Sequence, residues 1–226
     1  MKSLKKGFKE ATNQDRFNQY YDYIQAYRLF DSTFMNVVFE DLACLKLLVE
    51  TVFDLDDAEL DEQSIQKNVI YLPGDIQRHD ILVKDKKLGY ITFDILKSKA
   101  EINGLTWLGY MNLVNRLLDS DKDVEDVYIV YIMENDLLNE GFPIYHIDYK
   151  IAETEIPFKD GSNFMYVNGA KHEDTKLGRL MHDFNCVDPD DMYNPVLANR
   201  VRYLKREDEG LKKMCEILEE LNKDVA

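Results

Sequence analysis

Asp80 and Asp94 stand inside two apolar runs of one short stretch, RHDILVKDKKLGYITFDILK, residues 78–97. The central KDKKLG reads as a tight turn, which makes the runs two strands at 78–85 and 89–96. A carboxylate inside a strand is costly unless something pairs with it, and two on adjacent strands often share a metal ion. A hydrolytic site built on such a pair wants a polar residue two positions after the second acid. Strand side chains alternate with period two, so that position shares the acid's face. This chain has Leu96 there. Lys97 is adjacent but belongs to the opposite face, and serves the pair only if a bulge rotates the strand. Lys84 shares the parity of Asp80 but lies roughly 13 Å further along the strand.

The elements around this stretch follow from periodicity. Residues 1–30 read as an amphipathic helical extension, with Phe17, Tyr20, Tyr21, Ile24 and Tyr27 at helical spacing. Asp31 and Ser32 are N-cap candidates for a second helix over about 33–53. After the acidic loop LDDAELDE come three strands, near 65–72, 78–85 and 89–96. A helix over about 104–119 follows, and then DVYIVYIM (126–133), a continuous apolar strand of the kind buried on both faces. PIYHIDY (143–149) and NFMYVN (163–168) are expected to pair as a hairpin, followed by a short helix near 174–184 and one long terminal helix. Helix, three strands, helix and strand make an α/β pattern in which a hairpin hands over to a crossover helix and a central strand.

That order, with its acids, resembles the core of the PD-(D/E)XK nuclease superfamily. At family level the chain resembles the PD-(D/E)XK nuclease family transposases, related to the recombination-promoting nucleases of bacteria. The segments that carry the likeness are DSTFMNVVF (31–39), RHDILVKD (78–85), IVYIMENDLLNEGFPIYHID (129–148), MYVNG (165–169), LGRLMHDFNCVDPDDMY (177–193), RVRYLKREDEG (200–210) and MCEILEEL (214–221). The resemblance implies a restriction-endonuclease-like core over residues 31–135, preceded by the 1–30 extension and completed by a hairpin and helical part over 136–226 of the same domain.

It also implies a chemistry. The family site is an aspartate on one strand and Glu-x-Gln or Glu-x-Lys on the next. Asp80 matches the first acid, Asp94 falls on the glutamate position, and Leu96 falls on the Gln/Lys position. Mg²⁺ (or Mn²⁺) held by Asp80 and Asp94 would polarise a scissile phosphate and lower the pKa of an attacking water. The polar residue two positions on would orient that water or stabilise developing charge. Lys97 is the nearest candidate for that work, and Glu40, with Asp41 and Glu50 as alternatives in the first long helix, for an outer ligand. Arg78 precedes Asp80 by two. It is expected to steady that acid or meet a phosphate, or else to pair with a helix acid such as Glu40. Asp94 is one methylene shorter than glutamate, and catalytic geometry tolerates little looseness. Hydrolysis is therefore expected to be weakened or lost.

Composition bounds the alternatives. The chain has 226 residues, 45% hydrophobic, enough for one sizeable core. Its 43 acids against 28 bases give a formal charge of −15, which argues against broad electrostatic affinity for nucleic acid. DNA is the expected partner if the site is active. If it is inactive, an acidic nuclease-like fold is expected to bind a basic nucleic-acid-handling protein as a decoy or inhibitor that mimics the phosphate backbone. The terminal helices could support a homodimer. Three scattered cysteines without a CxxC suggest reduced core thiols, and with no apolar leader or membrane-length run the expected location is the cytoplasm. His182, Asp183, Cys186 and Asp188 superficially resemble a metal cluster, but no zinc spacing pattern supports them, and their carboxylates fit a turn and cap equally well.

Overall fold

A computed structural model of the protein describes residues 13–72, 76–98, 126–158 and 161–224, of which 13–17, 19, 62–72, 76–80, 162, 223 and 224 are described by their backbone alone. The expected helix over 104–119 lies outside the described residues. Among those described, the architecture is α/β, a six-stranded mixed sheet with helices packed on it.

Three helices open the chain: α1 (Asn13–Ala26), α2 (Ser32–Val38) and α3 (Leu42–Val52). The single helix expected over 33–53 is thus two. The apolar periodicity runs through Phe39 without a break. Asp41, however, takes an extended conformation and its side chain accepts the Cys44 N–H at 3.1 Å, so it ends one helix and caps the next.

Strands β1 (Leu60–Leu72), β2 (Ile76–Asp85) and β3 (Gly89–Leu96) form an antiparallel meander. The turn between β2 and β3 is built on Asp85. Its buried carboxylate accepts the N–H groups of Lys87 at 2.8 Å and Leu88 at 2.9 Å, and also that of Glu59 at 2.7 Å. Strand β4 (Val127–Met133) then lies parallel to β3.

Strands β5 (Ile144–Ile147) and β6 (Ser162–Asn168) pair antiparallel, as expected, but β6 also inserts parallel to β4, giving the order β1-β2-β3-β4-β6-β5. This explains the unbroken apolar run of β4, which has parallel neighbours on both sides and a buried set on both faces.

The chain closes with α4 (Lys176–Asn185), a short 3-10 turn at Pro189–Asp191, α5 (Pro195–Arg206) and α6 (Asp208–Asp224). The long terminal helix expected from the sequence is therefore broken. Glu207 between α5 and α6 is extended, at φ −98° and ψ 142°.

The two faces of the sheet differ. Ile81, Val83, Phe93, Ile95, Val130 and Val167 belong to the main core, to which all six described helices contribute. Leu82, Leu96, Ile129, Tyr131, Met133 and Tyr166 form a second apolar cluster on the other face, and no described helix contributes to it. No helix among the described residues is long and apolar enough to cross a membrane.

Candidate functional site

Asp94 sits on the second face. Across the parallel ladders it pairs with Tyr131 of β4, Tyr131 with Tyr166 of β6, and Tyr166 with Tyr145 of β5. Residues paired in this way share a face, so Asp94 begins a row of three tyrosines. It is only 6% exposed, and its Oδ1 accepts the Ile95 N–H at 2.8 Å. The rings of Tyr131 and Tyr166 stack with centroids 5.4 Å apart. At the end of the row the Tyr145 hydroxyl lies 2.8 Å from both oxygens of Asp136, in the loop after β4.

The β2–β3 ladder ends with Ile81 opposite Phe93, and Asp80 and Asp94 are the next residues outward on their strands. One further step of the same antiparallel register would set Asp80 against Asp94. On its other side Asp80 pairs with Asn68 of β1, and Arg78 with Ile70. The side chains of Arg78, His79 and Asp80 lie outside the described residues.

Leu96 is the next residue of β3 on the Asp94 face. It pairs with Met133, is fully buried and belongs to the same apolar cluster as Tyr131. The position at which the resemblance expects a polar group is thus packed with hydrocarbon. Lys97, one residue further, is half-exposed, and its ammonium lies 3.5 Å from Asp31 Oδ1, in the segment that leads into α2. Asp31 also accepts the Arg28 N–H at 2.9 Å, and the Arg28 guanidinium meets Glu134 at 2.5 Å. These four charged residues tie the start of α2 to the ends of β3 and β4.

Glu40 lies between α2 and α3, in the helical layer on the main-core face, whereas Asp94 belongs to the other face. Its cations are Lys213 of α6, in direct contact, and Arg200 of α5 at 3.7 Å. Arg200 also donates to the Val37 carbonyl at 2.9 Å, so Glu40 helps dock the terminal helices on α2.

The residues fit a hard cation in part. Two carboxylates on neighbouring strands are the right donors for Mg²⁺. Leu82, Leu96 and Met133, which share the face, offer it no oxygen or nitrogen. The tyrosine row was not singled out in the sequence. Its members lie on three strands whose parallel register no local pattern reveals.

A second cluster lies at the end of α4. His182 Nδ1 is 3.5 Å from Asp183 Oδ1 and 3.5 Å from Cys186 Sγ, and the ligand atoms of all three lie within 4.8 Å of one another. The sequence expectation of a turn and cap also holds. Asp183 accepts the Tyr193 and Asn194 N–H groups at 2.7 and 2.9 Å, and Asp188 caps the 3-10 turn through the Asp190 N–H at 2.8 Å. Burial, joined by Asp183, Asp191 and Asp188, pushes the Cys186 thiol up to about 11. Cys44, buried in the main core, is pushed to about 12 by burial and Asp41.

Fold and site together define an α/β protein whose mixed sheet carries a buried acid beside an apolar cluster. Compared with family models, curated proteins and solved structures, the chain matches none.

Proposed function

We propose that the chain is a divergent PD-(D/E)XK-type protein with a restriction-endonuclease-like core, in which Asp80 and Asp94 form the cation-binding half of a DNA-hydrolysing site and the water-activating half is lost. The observation that carries this reading is the pairing of a buried Asp94 with a fully buried Leu96 on one face of β3. A β2–β3 hairpin followed by a parallel strand is the arrangement the resemblance implies for such a core. Mg²⁺ or Mn²⁺ bound there would supply Lewis-acid stabilisation of a phosphate and a more acidic water. Asp80 and Asp94 would hold it, while Leu96 can neither orient the water nor stabilise charge.

The apolar packing at Leu96, with the −15 charge, also favours a second reading. In it the protein cuts nothing and engages a basic nucleic-acid-handling protein through its acidic surface.

Cleavage of supercoiled and linear DNA with Mg²⁺ or Mn²⁺ tests both readings, with wild type, Asp80→Ala and Leu96→Gln compared. The divergent-nuclease reading expects weak metal-dependent cutting or none in wild type, a gain in Leu96→Gln and none in Asp80→Ala. Cutting that survives Asp80→Ala would sink the site assignment. Inactivity of all three proteins, with Leu96→Gln still folded, would leave the binding reading in its place.

A further inference from the structure

We propose that His182, Asp183 and Cys186 form a binding site for a single borderline-soft divalent cation of the zinc class, with the fourth position open to water. The inference is independent of the Asp80–Asp94 reading. Tetrahedral zinc, with bonds of about 2.0–2.1 Å to nitrogen, 2.3 Å to sulfur and 2.0–2.2 Å to a carboxylate oxygen, sets N···S near about 3.6 Å and N···O near about 3.3 Å. The structure has 3.5 Å for both, and the three ligand atoms, one from each residue, lie within 4.8 Å of one another. The donor set of imidazole, thiolate and carboxylate suits zinc and not magnesium.

The site is built before any ion arrives. His182 lies in the last turn of α4 and Cys186 is the extended residue that ends it, and the two side chains meet there, with Sγ 3.5 Å from Nδ1. The Cys186 N–H bonds the Asp183 carbonyl at 3.1 Å and closes the turn. The Asp183 side chain is fully buried and fixed from outside the helix: Oδ1 accepts the Tyr193 N–H, and Oδ2 accepts both the Asn194 N–H and its side-chain amide, the latter at 2.7 Å. The second lone pair of Oδ1, on the side of His182 Nδ1 at 3.5 Å, is the one a cation would take. The His182 ring packs on Tyr193, with centroids 4.5 Å apart. Outer partners of this kind orient ligands and commonly matter 10–100-fold, by order of magnitude, in metal affinity. The His172 ring stands 6.0 Å from that of His182, and its Nε2 is 3.0 Å from the Gly169 carbonyl, so it is already engaged.

Asp183, Asp191 and Asp188 place negative charge near Cys186, and that charge favours a divalent cation. On binding, the Sγ–H bond breaks, a sulfur–metal bond forms, and the proton leaves to solvent. In the metal-free form the thiol instead donates to the His182 carbonyl, 3.4 Å away.

Titration of the full chain with Co²⁺, a spectroscopic stand-in for zinc, tests the proposal. The expected result is saturation at one equivalent, with the visible bands of tetrahedral cobalt, a thiolate-to-cobalt charge-transfer band, and displacement by Zn²⁺. Cys186→Ser should remove the charge-transfer band, and His182→Gln should weaken binding at least tenfold. Cys44→Ser and Cys215→Ser should leave both unchanged. Asp183→Asn is a poor probe because its buried acceptors hold the chain, so circular dichroism of Cys186→Ser serves as the folding control. Absence of the charge-transfer band in wild type, or its survival in folded Cys186→Ser, would overturn the site and leave the cluster as a helix cap.

Discussion

Replacing Lys205 with methionine should destabilise the protein in a way that grows with pH. Lys205 is 1% exposed, and its ammonium donates to the carbonyls of Gln25 at 3.0 Å, Tyr27 at 2.6 Å and Val187 at 2.6 Å. It also lies over the Phe34 ring, 5.4 Å from the centroid. One nitrogen therefore joins the end of α1 and the start of its following loop to the segment after α4. Methionine fills the same volume but leaves three buried acceptors without this donor. At about 1 kcal/mol each, the low end of the cost of an unsatisfied group, the loss near neutral pH is about 3 kcal/mol.

Burial lowers the Lys205 pKa from 10.5 to about 8, with Asp188 and Asp31 pulling it back and Arg206 adding to the fall. A lysine whose folded pKa is depressed is held more favourably as the neutral amine. The part of its contribution that depends on pH, which adds to the hydrogen bonds above, is at full value above the unfolded pKa of 10.5 and is lost as pH falls through about 8. The difference, 10.5 − 8, corresponds to about 3 kcal/mol. Urea unfolding of wild type and Lys205→Met, followed by circular dichroism at several pH values from 7 to 10.5, isolates this group, because the other titrations are common to both and cancel. The wild-type advantage should rise by about 3 kcal/mol between pH 8 and 10.5. An advantage that stays flat, or a variant as stable as wild type at pH 7, would refute the reasoning.

Asp85→Ala removes a fully buried carboxylate that accepts three N–H groups, and should cost about 3 kcal/mol or more in chemical denaturation, with Asp85→Asn intermediate. Gly89 has φ +90°, and a Cβ there would stand 2.3 Å from the Asp126 carbonyl oxygen, whereas Gly141 has φ +74° and nothing within 4 Å. Thermal unfolding should therefore show Gly89→Ala as severely destabilised and Gly141→Ala as losing only about 1–2 kcal/mol, the cost of the left-handed conformation.

The elements that follow from local pattern were legible in the sequence. The KDKKLG turn, the strands on either side of it and the doubly buried β4 all announce themselves through period-two alternation, turn residues or an unbroken apolar run. So did the face of Leu96, since parity alone sets it beside Asp94. What was not legible depends on partners far away in the chain. The apolar stripe from Phe34 to Val52 reads as one helix, and only the capping bond of Asp41 divides it. In the sequence Glu40 looks like a spare acid available to the Asp80–Asp94 pair, yet Lys213, 173 positions later, claims it. Asp183 reads as a turn residue, and is one. That its other side faces an imidazole and a thiol follows from how α4 ends, which spacing alone does not reveal.

Asp94 and Leu96 make opposite demands on the same face of β3. Keeping a carboxylate at 6% exposure is costly unless bonds or a cation compensate it. Leu96 stabilises the fold by the ordinary route, full burial in a cluster with Tyr131 and Met133. Placing a polar side chain at position 96 would thus supply the group that the proposed hydrolysis needs at the expense of apolar packing. The gain and the loss fall on different observables. Leu96→Gln should lower the denaturation midpoint whatever the protein does, and raise metal-dependent cutting only if Asp80 and Asp94 hold a cation together. A drop in stability with no gain in cutting would mean that the face has been given over to packing. Both changes together would mean that a working site lies one side chain away.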